Sequence, residues 1–276
     1  MKTIKSILIL CVALCFATSC KKVDMTLTQK TVFENTNITQ IKASDGWDVT
    51  VVADTYTFVE LDYSAYLEES LNLQVEGTEL QIGFKDHTYP VMGSAYRAIV
   101  HVGQIERIDA DDAVIVQCDG SFEGDDLEIA LSDGAQCNGL VFTGQNCNIK
   151  MDDASKFTGF QFVGSTCTAA LEDASQFNGQ IKVTEQLDID LDDASRFVNK
   201  GGETALANIK VQDGSRLNMV ETQVNEMHVD IAGGSEATVW VSGLLEGQVR
   251  SLSTLYYKGH PEIQVECAYG SFIKPI

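Results

Sequence analysis

Apolar residues alternate with polar or small ones over short stretches along most of the chain. Leu127, Ile129 and Leu131 do so, as do Cys147, Ile149 and Met151, and Leu187, Ile189 and Leu191. A period of two is the spacing of a β-strand with one buried face, not of a helix. Similar pentapeptides end these runs: Leu131-Ser132-Asp133-Gly134-Ala135, Met151-Asp152-Asp153-Ala154-Ser155, Leu171-Glu172-Asp173-Ala174-Ser175, Leu191-Asp192-Asp193-Ala194-Ser195 and Val211-Gln212-Asp213-Gly214-Ser215. Asp133, Asp153, Asp173, Asp193 and Asp213 are therefore each 20 residues apart. A looser copy stands at Asp111-Asp112-Ala113-Val114, the motif fades into Gly233-Gly234-Ser235, and Ser253 falls on the Asp phase at the far end. Four residues after the Asp comes a second apolar position, filled by Cys137, Phe157, Phe177, Phe197 and Leu217.

Two or three short strands per 20-residue unit leave no room for a helix. The unit is predicted to be one coil of an all-β, single-chain parallel β-helix, a solenoid in which the rest of each coil supplies the crossover that parallel strands need. A β-sandwich also uses many short strands, but it seldom keeps a constant repeat length. About eight coils at ~4.8 Å spacing would stack to about 38 Å, with like side chains above one another. Phe157, Phe177 and Phe197 then form an interior aromatic column, and Ile129, Ile149 and Ile189 an aliphatic one. None of Pro90, Pro261 and Pro275 interrupts the repeats, as a ladder of central strands requires. Residues 106–276 are assigned to the β-helix. Residues 31–105 also alternate, at Ile38-Thr39-Gln40-Ile41, Trp47-Asp48-Val49-Thr50-Val51 and Leu80-Gln81-Ile82, but lack the register. They are predicted to form irregular first coils or a β cap, because an exposed terminal coil presents unpaired edges.

The run from Ile38-Thr39-Gln40-Ile41 to Asp48-Val49-Thr50-Val51, then Gly77-Thr78-Glu79-Leu80-Gln81-Ile82, the repeated Asp-Ala-Ser and Asp-Gly-Ser turns, and Leu255-Tyr256-Tyr257-Lys258-Gly259-His260-Pro261 together resemble the head-GIN-domain, putative auto-transporter adhesin family of Bacteroidota. The resemblance covers residues 31–276. It implies a β-helical fold and an envelope or surface location, and it offers no catalytic residues to carry over. The chain shows no membrane-translocating barrel of its own.

The first residues read as an address. Lys2 and Lys5 precede an apolar run from Ile7 to Phe16, followed by Ala17-Thr18-Ser19-Cys20. This is the layout of a secretory signal over residues 1–19, and the run is shorter than the roughly 20 apolar residues that span a bilayer. Cys20 after Ser19 resembles a bacterial lipoprotein cleavage box, although Ala17 stands where Leu is more usual. An ordinary secretory signal that happens to contain a Cys is the plainer alternative. Lipidated Cys20 would anchor the protein to a membrane by acyl chains, with residues 20–30 as a polar tether. The expected place is the outer membrane, on its surface or periplasmic face.

Charge narrows the partners. The 276 residues carry 19 Lys+Arg against 40 Asp+Glu, for a net charge of −21. Removal of residues 1–19 takes away Lys2 and Lys5 and no acid, moving the net charge to −23. Nucleic acid is excluded as a partner, because phosphate binding needs a basic face. The five-Asp ladder is the most regular polar feature. By parity with Ile149 and Met151, a straight strand would turn each Asp inward. Stacked carboxylates ~4.8 Å apart repel by roughly 0.9 kcal/mol per pair in water and about 3.5 kcal/mol at an effective dielectric near 20. They must be solvated, hydrogen-bonded or cation-bound. The plain expectation is an Asx turn, each carboxylate accepting from backbone N–H groups and from the Ser two residues on. The sharper one is calcium, which prefers several oxygen ligands. Its candidates are Asp152, Asp153, Glu172, Asp173, Asp192 and Asp193, although the calcium-binding nonapeptide pattern of other β-helices is absent. Asp125, Asp126, Asp188 and Asp190 add charge, and Lys156, Arg196 and Arg216 share one outward position.

Five cysteines follow Cys20: Cys118, Cys137, Cys147, Cys167 and Cys267. Cys147 and Cys167 occupy the rung of Leu127 and Leu187, so buried hydrophobe is their expected role, with a disulfide between them as the alternative. No Cys/His spacing suggests zinc. No hydrolase, metalloprotease or nucleotide-binding motif is present, and His87, His101, His228 and His260 are scattered. An expected binding or structural module, without catalytic activity or cofactor, offers acidic and polar ladders to a glycan or protein ligand. The alternative, a β-helical polysaccharide lyase or hydrolase, should break the repeat with a local acid–base cluster on longer loops.

Overall fold

Equal spacing of apolar residues gives equal coils. In the computed structural model, which describes residues 23–85, 88 and 90–276, the strand Asp126–Leu131 lies parallel to Asn146–Met151 with Ile129 opposite Ile149 and Leu131 opposite Met151. The same 20-residue register runs on through 166–171, 186–191, 206–211 and 226–231. The chain is 65% strand and 2% helix, wound as a β-solenoid of about eight turns. Each regular coil has a six-residue strand such as 146–151, a corner at the Asp motif, and two shorter stretches such as 156–158 and 161–163. The expected signal sequence over residues 1–19 and the expected lipid attachment at Cys20 lie outside the described residues.

Interior columns form as the alternation dictates. Phe157, Phe177 and Phe197 are buried one above another, with ring centroids 5.7 Å apart for the first pair and 4.4 Å for the second. Phe142 and Phe162 make a second short aromatic stack, 6.3 Å apart. Ile129, Ile149, Ile189 and Ile209 fill the aliphatic column, with Ala169 in its middle. Full burial of each large apolar side chain contributes roughly 1.5–3 kcal/mol. Gly144 and Gly164 sit where the chain passes these rings. A Cβ on Gly164 would lie 2.9 Å from the Gly144 carbonyl oxygen, so a larger residue does not fit.

The Asp corner is a tight turn in which both central residues are left-handed: φ is 47° at Asp153 and 60° at Ala154, 51° and 63° at Asp173 and Ala174, 47° and 63° at Asp193 and Ala194. Two successive positive φ values mark a type I′ turn, which favours Asn or Asp followed by Gly. The turn closes through Ser155 N–H donating to the Asp152 carbonyl at 3.1 Å. Between coils, Ala154 N–H donates to the Asp173 carbonyl and Ala174 N–H to the Asp193 carbonyl, each at 2.8 Å. The following Ser turns inward. Ser155, Ser175, Ser195, Ser215, Ser235 and Ser253 form a buried hydroxyl column, with Ser155 and Ser175 Oγ atoms 3.3 Å apart and Ser195 N–H donating to Ser215 Oγ at 3.1 Å.

The N-terminal end is built out of sequence order. Residues 40–53 form a coil with the same turn, Asp45 and Gly46 at φ 62° and 70°. Gln40–Ala43 pairs in parallel with Arg107–Ala110 on one side and with 79–82 on the other. Asp48–Ala53 is likewise flanked by 115–119 and Tyr96–Val102. The chain thus winds one coil, leaves through 54–106 to lay another above it, and returns below. Antiparallel strands close the top. Phe58–Ser64 pairs with Tyr96–Val102 on one edge and with Leu27–Val32 on the other, and Leu71–Glu76 forms a hairpin with Glu79–Phe84. Under this cap Trp47, fully buried, packs on Phe84 and Tyr96 at 5.6 and 5.9 Å. The polar tether expected to reach Lys30 stops sooner: from Leu27 onward the chain is a strand on the cap's edge. Thr28, Thr31 and Val32 suit such a strand better than a linker.

The C-terminal end differs. The last two coils are shorter, so that Ser253 lies beneath Ser235 and not on the Asp phase its number implied. Turn positions there are Ser251-Leu252 and Tyr269-Gly270, again at positive φ. Among the described residues, Glu262–Cys267 pairs with the preceding coil at 244–249 and Phe272–Pro275 with 254–257, leaving the far edge of each strand open.

Candidate functional site

Two surfaces gather the polar side chains: the acidic turn edge and the flat face carried by the six-residue strands. Along the turn edge Asp133, Asp153, Asp173, Asp193 and Asp213 stand at equivalent positions with left-handed backbone. The parity expectation of an inward Asp is corrected here, because the left-handed turn rotates each side chain to the surface; Asp153, Asp173, Asp193 and Asp213 are exposed. The Asx-turn expectation is corrected as well. The Asp main-chain carbonyls, not the carboxylates, accept the inter-coil bonds, and the Ser hydroxyls point into the core. Asp fits for its tolerance of the left-handed region.

Of the calcium candidates, Asp192 and Asp193 come together with Asp213, each offering an oxygen within 4.8 Å of the others. Asp152, Asp153, Glu172 and Asp173 do not join that cluster. Like charges act on the edge. Asp192, then partial desolvation, then Asp173 and Asp213 push the Asp193 carboxyl above its ordinary pKa. Burial, followed by Asp153, Asp133 and Asp173, does the same for Asp152. At the top of the edge, Asp111 is half-buried with Oδ1 lacking a partner among the described residues. Burial first, then Asp112 and Asp109, raise its pKa to about 6. The Asp column stops where Gly233 follows Asp213. A Cβ at 233 would lie 2.6 Å from the Asp213 nitrogen, so only Gly fits.

The flat face is different in kind. Its outward positions form two columns, one through Asp188, Asn208, His228 and Glu246 and the other through Asp190, Lys210 and Asp230. From Asp190 to Asp230 the charges of the second column are paired. Lys210 Nζ lies 3.0 Å from Asp190, and Arg250 donates to both Asp230 oxygens at 2.7 and 2.9 Å. In the first column Asn208 donates to Asp188 at 2.7 Å, Gln186 adds bonds at 2.8 and 2.9 Å, and His228 stands between Glu226 at 3.0 Å and Glu246 at 3.3 Å. Asp188, Asn208, His228 and Glu246 together with Asp190, Lys210 and Asp230 line a shallow trough of about 400 Å³ from Thr168 to Gly247, in which Ala170 leaves room beside Asp190. In the sequence Asp188 and Asp190 stand out only as added charge. Reading outward positions at the same 20-residue spacing would have shown the sign alternating down Asp190, Lys210 and Asp230.

The cysteines after Cys20 are free thiols: Cys118, Cys137, Cys147 and Cys167 buried, Cys267 exposed. Cys147 lies opposite Cys167 in the column of Leu127 and Leu187. A hydrogen bond that the Cys137 thiol donates to Cys118, together with burial, pushes that thiol far up, and burial with a bond to Cys167 does so for Cys147. Such thiols are inert hydrophobes, not nucleophiles.

No curated protein sequence matches the chain. Solved structures do. A putative adhesin from Parabacteroides merdae ATCC 43184 is 14% identical with a TM-score of 0.66, over 91% of this chain and 96% of that one. A putative lipid binding protein from Parabacteroides distasonis ATCC 8503 is 13% identical with a TM-score of 0.67, over 92% and 98%. A putative adhesin from the same organism is 16% identical with a TM-score of 0.66 over the same shares. At these identities the likeness is one of fold. The family follows from the sequence itself: residues 37–261 match the model described as putative auto-transporter adhesin, head GIN domain, and the chain belongs to that family.

Proposed function

We propose that this protein is a lipid-anchored, non-catalytic binding module of the cell envelope, held at the outer membrane through Cys20 and recognising a glycan or protein ligand on its flat face. The observation that carries the reading is the trough from Thr168 to Gly247, where donors and acceptors repeat at coil spacing on a rigid sheet. Preorganised polar groups over an apolar floor suit recognition, because little side-chain freedom is lost on binding. The carboxylates there are already held, Asp188 by Asn208 and Gln186, Asp190 by Lys210, Asp230 by Arg250. Glu246 is held by His228, itself pinned between Glu226 and Glu246, and such mutual pairing favours fixed recognition groups over a free acid–base pair. Membership of an adhesin family supports the same direction. The anchor rests on the Ala17-Thr18-Ser19-Cys20 sequence.

A glycan array probed with the labelled protein tests the face. Binding that Asp188→Ala and Asn208→Ala both abolish is expected; binding indifferent to both sinks the assignment of this face. Incubation with the bound polysaccharide should leave its chain length unchanged, and shorter products would establish the lyase or hydrolase alternative instead. For the anchor, Cys20→Ser should move the protein from the membrane to the soluble fraction and abolish incorporation of labelled fatty acid.

A further inference from the structure

The two ends of the solenoid are finished differently, and we propose that the bare C-terminal end is the interface of a two-fold dimer with a second copy of this chain. At the top, antiparallel strands cover the first coil. At the bottom, no described residue covers the ends of the interior columns. Ile263 is 43% exposed, whereas Leu245 and Met227 above it in the same column are fully buried. Cys267, beneath the fully buried Val249, is exposed as well, and each terminal strand offers a row of backbone groups with no neighbour among the described residues. Open strand edges of this kind recruit another strand.

The end is complementary to itself. Glu262–Cys267 runs toward the corner at 268–271, and Phe272–Pro275 runs away from it. A two-fold axis through that corner, perpendicular to the solenoid, lays the second strand of one copy over the first strand of the other. Their directions are then opposed, so they can pair antiparallel, and the contact occurs twice by symmetry. The first strand is acidic, with Glu262 and Glu266 pointing outward. The second carries Lys274 outward, above the Phe272 ring at 5.2 Å. In the register that sets interior residues against interior residues, Glu266 stands opposite Lys274 of the other copy, and Cys267 opposite Ile273. This charge match selects a second copy as occupant: on a chain of net charge −21, an end that offers both signs in matching places is the part best suited to meet itself.

The test uses the full chain carrying Cys20→Ser, which removes acyl-driven association, and reads molecular mass by sedimentation equilibrium. The expected mass is that of two chains. Lys274→Glu and Glu266→Lys should each lower it twofold, with the β-type circular dichroism unchanged, and the two reversals combined should restore the dimer. A single-chain mass for the parent protein would overturn the proposal. So would a dimer indifferent to both reversals, or one that the combined variant fails to rebuild.

Discussion

Asp111 is the residue at which solvent access, charge and fold conflict most directly. Its pKa of about 6 exceeds the ordinary value of 3.8, because burial and the neighbours Asp112 and Asp109 disfavour the charged form. The native state therefore binds the proton more tightly than the unfolded state. Stability falls as pH rises from about 4 to about 6, and the penalty is fully present above that window. Asp111→Asn should raise stability at pH 7.5 by about 1–2 kcal/mol, since water still screens much of the group, and should change little at pH 4. Urea denaturation of both proteins at the two pH values checks this. Asp153 makes the complementary point about backbone. Its left-handed φ of 47° suits Asp or Asn and strains a β-branched residue. Asp153→Asn should fold as stably as the parent, whereas Asp153→Val should lose about 1–2 kcal/mol, read as a lower urea midpoint. An equal loss in both variants would mean that the carboxylate, not the turn, is what the position requires.

At the scale of the coil, the columns are what hold the stack. Phe177 touches Phe157 above and Phe197 below and is almost wholly buried. Phe177→Ala should cost about 3–5 kcal/mol, because two aromatic neighbours lose their contact and the rigid sheets cannot collapse onto the void. A loss under 1 kcal/mol in thermal or urea unfolding would show that the column repacks. These columns were readable beforehand, since an interior position repeats at the same offset in every coil. The turn at Asp45-Gly46 was not, because its partner coil begins only at Arg107, with the cap strands intervening in sequence. Nor was the direction of the Asp side chains, because parity holds along an extended strand and fails at a left-handed turn. Ser253 was misplaced for a related reason: a coil two residues shorter shifts every later offset. The trough is not legible in the sequence because its members are chemically unlike one another. Asn208, His228 and Glu246 share a column without sharing a residue type.

Taken whole, the molecule separates its charges. On the flat face each carboxylate from Asp188 to Glu246 has a hydrogen-bond or ion-pair partner, while the turn edge concentrates carboxylates that repel one another. Salt should therefore stabilise the protein by screening that edge. Melting temperature should rise with NaCl, and CaCl2 at matched ionic strength should raise it equally if the turn edge holds no specific cation. A calcium-specific increase, lost in Asp193→Asn, would instead make Asp192, Asp193 and Asp213 a binding site.

The uniform coil has one more consequence. Residues 166–185 and 186–205 enter and leave the stack at equivalent points, so gaining or losing such a segment alters height and little else. An organism that carries this gene can thus lengthen or shorten the protein by gaining or losing one coil-length segment, with the shared Asp-Ala-Ser turn and the buried Leu and Phe positions keeping the register. The reach of the molecule is an inheritable trait that evolution can adjust one storey at a time.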